Sequence, residues 1–353
     1  MKTKMFLGVL GCALSLLTAA PALAQDSSIK GAGSSFAKPL YDAWGSNFPQ
    51  GKNAVTYAGV GSGVGINRFQ NQQVDFGGSD VAMNDEQIAE TRGNTGDILQ
   101  IPTAYGGIVI TYNLPGLKGA LNLSGDLLAQ IYLGNIRMWN DPRLTAANPS
   151  LANVNYPIIT FHRGDSSGTT YGFTNYLTAT SKDWRNNNQA NFATTWPVGD
   201  GKGGNGALVD AVVANPYSIG YADYNYVVAK KLPMASLRNS AGNYVQPSLD
   251  TIREAVTNAA ATASSSADLR FNLIDASGAR SYPLVTATYV IVHRGQSDAA
   301  KATTLVNFLT WGLHEGQALE APLNYVPLPD SVAAAATKLV QSITTKGTAG
   351  GRN

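Results

Sequence analysis

Apolar positions along this chain switch repeatedly between two spacings. Val55-Thr56-Tyr57-Ala58, Gly107-Ile108-Val109-Ile110-Thr111-Tyr112, Ile158-Ile159-Thr160-Phe161-His162, Ile219-Gly220-Tyr221-Ala222 and Tyr289-Val290-Ile291-Val292-His293 are short runs rich in β-branched and aromatic residues, and they predict strands. Between them, apolar residues recur every three or four positions. Phe36, Leu40, Tyr41, Trp44 and Phe48 mark one helix, Thr170, Phe173 and Tyr176-Leu177 a second, and Ile66 with Phe69 a shorter third. The same period predicts helices over Ser124–Ile131, Gly206–Ala214, Leu249–Ala261, Lys301–His314 and Asp330–Ile343. Strands alternating with helices predict an α/β fold with mainly parallel sheets. Residues 262–283 are polar and turn-rich and read as a surface excursion, and the Gly/Thr-rich tail Thr344–Asn353 reads as frayed.

The start of the chain follows a different logic. Lys2 and Lys4 precede the apolar run Phe6–Leu17, and Ala22-Leu23-Ala24 is a small-x-small cleavage site before Gln25. Residues 1–24 therefore read as a cleaved signal peptide for export. Val9-Leu10-Gly11-Cys12 imitates a lipoprotein box, but the downstream site is better formed. Cleavage removes Cys12, the only cysteine, and with it any disulfide, thiol nucleophile or cysteine metal site. It also removes two lysines and no acids, which brings the formal charge from +2 to about zero. With 14% charged residues, such a chain has no global basic field for nucleic acid. No later apolar run reaches spanning length, so the mature chain is expected to be soluble, monomeric and periplasmic. Roughly 330 residues suffice for a sizeable core and favour two lobes over one.

Three apolar segments run through glycine and small hydroxyl residues into a helical pattern. They are Gly31-Ala32-Gly33-Ser34-Ser35-Phe36, Gly59-Val60-Gly61-Ser62-Gly63-Val64-Gly65 and Arg163-Gly164-Asp165-Ser166-Ser167-Gly168-Thr169-Thr170. Free N–H groups at a helix start carry partial positive charge, glycine permits close backbone approach, and Ser or Thr adds a donor. In an α/β sheet such loops lie beyond the carboxyl ends of strands, where ligands sit. Together they suggest a site that surrounds a small oxyanion. Arg163 offers forked donors to such an ion. Alone it reads equally as half of a surface ion pair with Asp165, and the hydroxyls as helix caps. Asp80, in Asp75-Phe76-Gly77-Gly78-Ser79-Asp80, is an acid beside an anion site. It is useful only if the ligand carries a hydrogen, as monohydrogen phosphate does and sulfate does not. The plainer alternative makes Asp80 a cap for the helical pattern Asn84–Ala89 or the close of a turn.

Other chemistries compete for the same residues. Gly164-Asp165-Ser166-Ser167-Gly168 matches the G-x-S-x-G nucleophile elbow of a serine hydrolase, with Asp200, Asp223, His293 and His314 downstream in a workable order. That reading uses one glycine loop and leaves two without a role. The three histidines lack zinc-ligand spacing, so neither a metal nor a cofactor is expected. Gly199-Asp200-Gly201-Lys202-Gly203-Gly204 lacks the Ser or Thr of a phosphate loop and reads as a flexible loop before a helix.

The ordered blocks of the chain resemble the periplasmic phosphate-binding proteins of high-affinity phosphate ABC transporters. The resemblance runs from about Ile29 to Ile343. It takes in Gly31–Phe36, Gly61-Ser62, Val74–Asp80, Ile131-Tyr132-Leu133-Gly134-Asn135-Ile136, Trp139-Asn140-Asp141, Arg163–Thr170, Ser218–Tyr221 and Leu328-Pro329-Asp330-Ser331. It implies a two-lobed, type II-like binding protein, each lobe a mainly parallel sheet flanked by helices, with inorganic phosphate held in the cleft. The lobes would be 25–104 with 285–353, and 105–284. The implied ligand residues are Ser35, the Phe36 backbone N–H, Ser62, Asp80, Arg163, Ser167, Gly168 and Thr169, with Asp165 steadying the arginine. The implied partner is an inner-membrane ABC permease with its ATPase. Ser35 stands where the family usually has threonine, and Gly63 where it often has a second serine. A binding protein for another tetrahedral oxyanion, such as molybdate, stays open beside the hydrolase.

Overall fold

The computed structural model describes residues 27–95, 97–262 and 269–345. The expected signal peptide and the tail beyond Thr345 lie outside the described residues. Eight strands form one sheet: β1 (Ile29–Gly33), β2 (Val55–Gly59), β3 (Phe76–Ser79), β4 (Ile98–Asn113), β5 (Ile159–Arg163), β6 (Asp200–Lys202), β7 (Ser218–Asp223) and β8 (Val285–His293). Their spatial order is β2-β1-β3-β8-β4-β7-β5-β6. β1 lies parallel to both β2 and β3, and β5 lies parallel to both β6 and β7. These two parallel groups are the sheets of two lobes. They are joined by β4 and β8, which run antiparallel to each other.

β4 belongs to both lobes. From Ile98 to Gly107 it pairs with β8, and from Ile108 to Asn113 it pairs with β7. Its second half is the strand that the hydrophobic pattern predicts. Its first half is concealed by Pro102, which cannot donate to a ladder. The ladder meets that proline with a shift of register between Thr288 and Tyr289, and the strand continues. β4 is buried along nearly its whole length, as a strand covered on both faces must be.

Aromatic side chains fill each lobe. In the first, Trp44 is fully buried and donates its indole N–H to the Gly316 carbonyl at 3.0 Å, while Tyr41 meets Tyr57 edge-on at 4.9 Å. In the second, Phe173 stacks on Tyr221 at 4.3 Å with Tyr132 and Trp196 around them. Each such pair adds about 1 kcal/mol beyond the area it buries.

Two expectations fail. Within the expected surface excursion, Leu269, Leu273, Ala276 and Tyr282 are buried, and the Tyr289 hydroxyl donates to the Leu269 carbonyl at 3.2 Å. The apolar residues there follow neither a strand nor a helix period, because they cover the joining strands as irregular chain. The expected flexible loop at Gly199–Gly204 contains the edge strand β6, paired to β5, followed directly by a helix that starts at Gly204. Sheet hydrogen bonds hold it despite its glycines. Among the described residues, no helix is long and apolar enough to cross a membrane, and no His/Cys/Asp/Glu cluster is arranged to hold a metal ion.

Candidate functional site

The carboxyl ends of β1, β2 and β3 face that of β5 across the joining strands. β1 runs into a turn at Ser34–Ala37, then into α1 (Lys38–Asn47). β2 leads into α2 (Ser62–Gln70), whose cap is Gly61 at φ 95°, a left-handed conformation suited to glycine. β3 ends immediately before Asp80. β5 leads into α3 (Gly168–Thr180), capped by Ser167.

Distances show which candidates come together. The Ser62 hydroxyl donates to Asp80 Oδ2 at 3.3 Å, and the Asp80 N–H donates to Ser62 Oγ at 3.2 Å. α3 abuts this pair from the other lobe: a methyl group on Gly168 would lie 2.4 Å from Ser62 Oγ and 2.8 Å from Asp80 Oδ2. Arg163 Nη1 lies 3.2 Å from Thr169 Oγ1. Ser35 Oγ, from the first lobe, accepts from Asn205 Nδ2 of the second at 3.0 Å. Phe36 follows Ser35 with its ring buried against Tyr325, so only its backbone is available to a ligand. Ser35, Ser62, Asp80, Arg163, Ser167, Gly168 and Thr169 are thus all buried where the two lobes meet.

The hydroxyl of Ser167 shows how cap and ligand roles coexist. Its oxygen accepts from the Thr170 N–H at 3.1 Å, which leaves its hydrogen free to donate elsewhere. Asp80 has no part in capping the next helix. There Asn84 and Gln87 exchange side-chain bonds to each other's backbone N–H at 2.8 and 3.0 Å.

Charge is concentrated at three buried points. Arg163 has a side chain 1% exposed and is held by Asp165 through Nε–Oδ1 at 2.7 Å and Nη2–Oδ2 at 2.5 Å. Burial pushes the Asp165 carboxyl up, but the Arg163 guanidinium and the Gly204 N–H outweigh it and hold the pKa below the usual range. Two of the five guanidinium hydrogens go to Asp165, which leaves the Nη1 group and one Nη2 hydrogen for other acceptors. Burial raises Asp80 from 3.8 to about 6, against the pull of nearby hydroxyls (Ser34, Thr288, Ser62) and of the Arg163 charge. Asp80 Oδ1 is buried without a hydrogen-bond partner among the described residues. Asp223, at the end of β7, is also fully buried. Burial first, and then the Asp80 charge, drive its pKa far above the carboxylate range.

Asn205, Asp223, Tyr226 and Tyr325 complete the site, and the pattern reading did not place them there. Asn205 begins the helix α4 (Gly204–Ala214) and binds Asp223 Oδ2 as well as Ser35. Tyr226, in α5 (Tyr224–Ala229), donates to the Ser35 carbonyl at 2.7 Å. Tyr325 donates to the Phe36 carbonyl and accepts from Asn225 at 2.8 Å. Asn205 to Ser35, Tyr226 to Ser35 and Asn225 to Tyr325 join the two lobes. Gly203-Gly204-Asn205 shares the glycine-into-helix signal of the three recognised loops, and Asp223 ends a predicted strand.

Ser166 has a different setting from a nucleophile. Its carbonyl accepts from the Gly63 N–H at 3.1 Å across the cleft, and its Oγ occupies the place where a side chain on Gly63 would begin, 1.9 Å from that position. His293 stacks on Phe69 at 4.4 Å, and His314 Nε2 lies 3.4 Å from Thr337 Oγ1. The elbow motif is therefore a lobe contact here, and it also explains why glycine stands at position 63.

Residues 18–313 match the model of a PBP superfamily domain. The chain is 39% identical over 311 residues to a protein of Haemophilus influenzae named phosphate-binding protein PstS, covering 88% of this chain and 91% of that one. It is 36% identical to the protein of that name from Pasteurella multocida, covering 94% and 93%. Among solved structures, the fold resembles a high-affinity periplasmic phosphate-binding protein bound with phosphate, at a TM-score of 0.71 and 22% identity, covering 88% and 93%. It also resembles the phosphate-binding protein of Stenotrophomonas maltophilia, at a TM-score of 0.69 and 20% identity, again covering 88% and 93%.

Proposed function

The chain belongs to the phosphate-binding proteins of the PBP superfamily, and from that we propose that it captures inorganic phosphate between its lobes and delivers it to an inner-membrane ABC permease with its ATPase. It acts in the periplasm as a binding protein, with no chemical step of its own. The lobes divide at 25–104 with 285–353, and 105–284. The transfer of β4 from β8 to β7 at Gly107/Ile108 supports that division.

One observation carries the reading: a buried arginine with donors to spare lies in the field of a buried carboxyl, Asp80, one oxygen of which has no partner among the described residues. A fully ionised anion would be attracted by the first and repelled by the second. A tetrahedral anion that still bears a hydrogen satisfies both. Arg163 Nη1, the hydroxyls of Ser35, Ser167 and Thr169, that of Ser62 once it turns from Asp80 to the ligand, and the backbone N–H groups of Phe36, Gly168 and Thr169 donate to its oxygens. Asp80 accepts its hydrogen. The starts of α2 and α3 add partial positive charge in a site closed to water, where such dipoles act strongly. Ligand bound to both lobes favours the closed arrangement, since only there are all contacts made at once.

Isothermal titration of the mature protein with phosphate, sulfate and molybdate tests this. Phosphate is expected to bind much more tightly than the other two, and Asp80→Asn to narrow the gap with sulfate. Equal affinity of the wild type for phosphate and sulfate overturns the role of Asp80, and tighter binding of molybdate overturns the choice of ligand.

A further inference from the structure

Two carboxyls outside the arginine pair are buried in this site, and phosphate recognition has a use for only one of them. Asp80 serves the ligand's hydrogen. Asp223 has no assigned part, yet it lies among the proposed ligand groups. Its Oδ2 accepts from Thr169 Oγ1 at 3.2 Å and from the Asn205 amide. The orientation of that amide is set by the backbone, because Asn205 Oδ1 accepts the Asp223 N–H at 3.3 Å. Its Nδ2 hydrogens then go to Asp223 Oδ2 and to Ser35 Oγ. Asp223 Oδ1 is buried and has no partner among the described residues.

Charge counting makes this arrangement untenable with both acids ionised. Arg163 is already paired with Asp165, so Asp80, Asp223 and a phosphate dianion would share the field of one neutralised cation. Two like unit charges about 4 Å apart repel by roughly 4 kcal/mol at the effective dielectric of a protein site. An ionised Asp223 would also hold the Thr169 hydroxyl hydrogen that the ligand needs.

Resting on the phosphate reading above, we propose that Asp223 works as a neutral acid in the loaded site, a positioning residue whose Oδ1 bears the hydrogen. Its Oδ2 then accepts from Asn205 alone, and Thr169 is released to donate to phosphate. One lobe's Asn205 meanwhile holds Ser35 of the other. Through Asp223, a group that would repel the anion becomes one that admits it.

Burial and the Asp80 charge outweigh the Arg163 charge and the Thr169 and Asn205 hydrogen bonds, which favour the ionised form. Facing Asp223 are Asp80 beyond β3, Arg163 of β5, Thr169 of α3, Asn205 of α4, Tyr226 of α5 and Tyr325 beyond the turn Ala321–Leu323. Arg163 alone among them favours the ionised form by charge, and it is paired. Burial first, and then the Asp80 charge, oppose ionisation of Asp223. Two buried acids that cannot both ionise take different roles, one charged and one neutral.

The test is the pH dependence of phosphate affinity between pH 6 and 10, for wild type, Asp223→Asn and Asp80→Asn. Asparagine is a permanently neutral stand-in, so wild type is expected to lose affinity on the alkaline side by up to about tenfold per pH unit more than Asp223→Asn does. Parallel profiles, together with no carboxyl band that depends on Asp223, overturn the proposal. Infrared spectra of the phosphate-loaded proteins are the second measurement. Burial also pushes the Glu320 carboxyl well up, so its band is common to all three proteins, and a further protonated-carboxyl stretch is expected in wild type and in Asp80→Asn that Asp223→Asn lacks. Its absence from wild type overturns the proposal even if Asp223→Asn fails to fold. Failure of wild type to bind phosphate at all would sink the reading beneath it, a result distinct from binding with parallel profiles.

Discussion

Asp165 holds Arg163 at two points, Nε to Oδ1 at 2.7 Å and Nη2 to Oδ2 at 2.5 Å. The acid is two residues from the arginine and lies at the loop edge, 21% exposed, while the arginine side chain is 1% exposed. A surface acid thus fixes the plane of a buried cation, and the remaining fork of that cation points to the cleft.

Arg163→Lys is therefore expected to weaken phosphate binding by at least about thirtyfold. An ammonium cannot serve Asp165 and the ligand with one rigid fork, and disrupting a buried hydrogen-bonded charge pair typically costs at least about 2 kcal/mol. Asp165→Asn keeps the cation but weakens its anchor, and a smaller loss is expected. Titration calorimetry of both variants checks the order.

Asp80 is expected to make the unliganded protein less stable as pH rises. Its pKa in the fold, about 6, exceeds the unfolded value of 3.8. The folded state therefore holds an extra proton between these values, and that contribution is lost as pH climbs through about 6. The shift corresponds to roughly 3 kcal/mol at most. Asp80→Asn should raise the Tm of the unliganded protein at pH 8 and leave it nearly unchanged at pH 4. Scanning calorimetry at the two pH values decides, and an equal gain at both would contradict the assignment.

Gly168→Ala is expected to separate folding from closure. Alanine suits a helix better than glycine by up to about 1 kcal/mol, so unliganded stability should hold. Its methyl group, however, would lie 2.4 Å from Ser62 Oγ of the opposing lobe. Overpacking of this kind costs about 1–3 kcal/mol, so affinity should fall about tenfold or more. Small-angle scattering should show less compaction on phosphate addition than in wild type.

Gly63→Ser should weaken binding rather than add a useful donor, because Ser166 Oγ already occupies the space. Gly63→Ser combined with Ser166→Gly should recover part of the loss. The coupling in a double-mutant cycle of phosphate affinities is the measurement, and additive effects would remove the argument.

Much of this was legible in the sequence. The strand-to-glycine-to-helix signal at Gly33, Gly61 and Arg163 located the loops that meet in the cleft, because backbone chemistry at a helix start leaves a local mark. Asn205 and Asp223 were harder. Their importance comes from lobe packing, which sets Asn205 against Ser35 170 positions away in the chain. The covering segment at Leu269–Tyr282 was hidden for a related reason, since irregular chain buries apolar residues without a period. Pro102 concealed half of β4, because the register shift that accommodates it, with Thr103 as the extra residue, depends on pairing with a strand distant in sequence.

The continuity of β4 has a thermal consequence. A two-part molecule joined by a loose tether melts in two steps, each part at its own temperature. Here a single strand supplies ladder bonds to the sheets of both parts, so neither can lose its order while the other keeps an intact edge. Heating the unliganded protein should give one cooperative transition, with calorimetric and van't Hoff enthalpies in agreement.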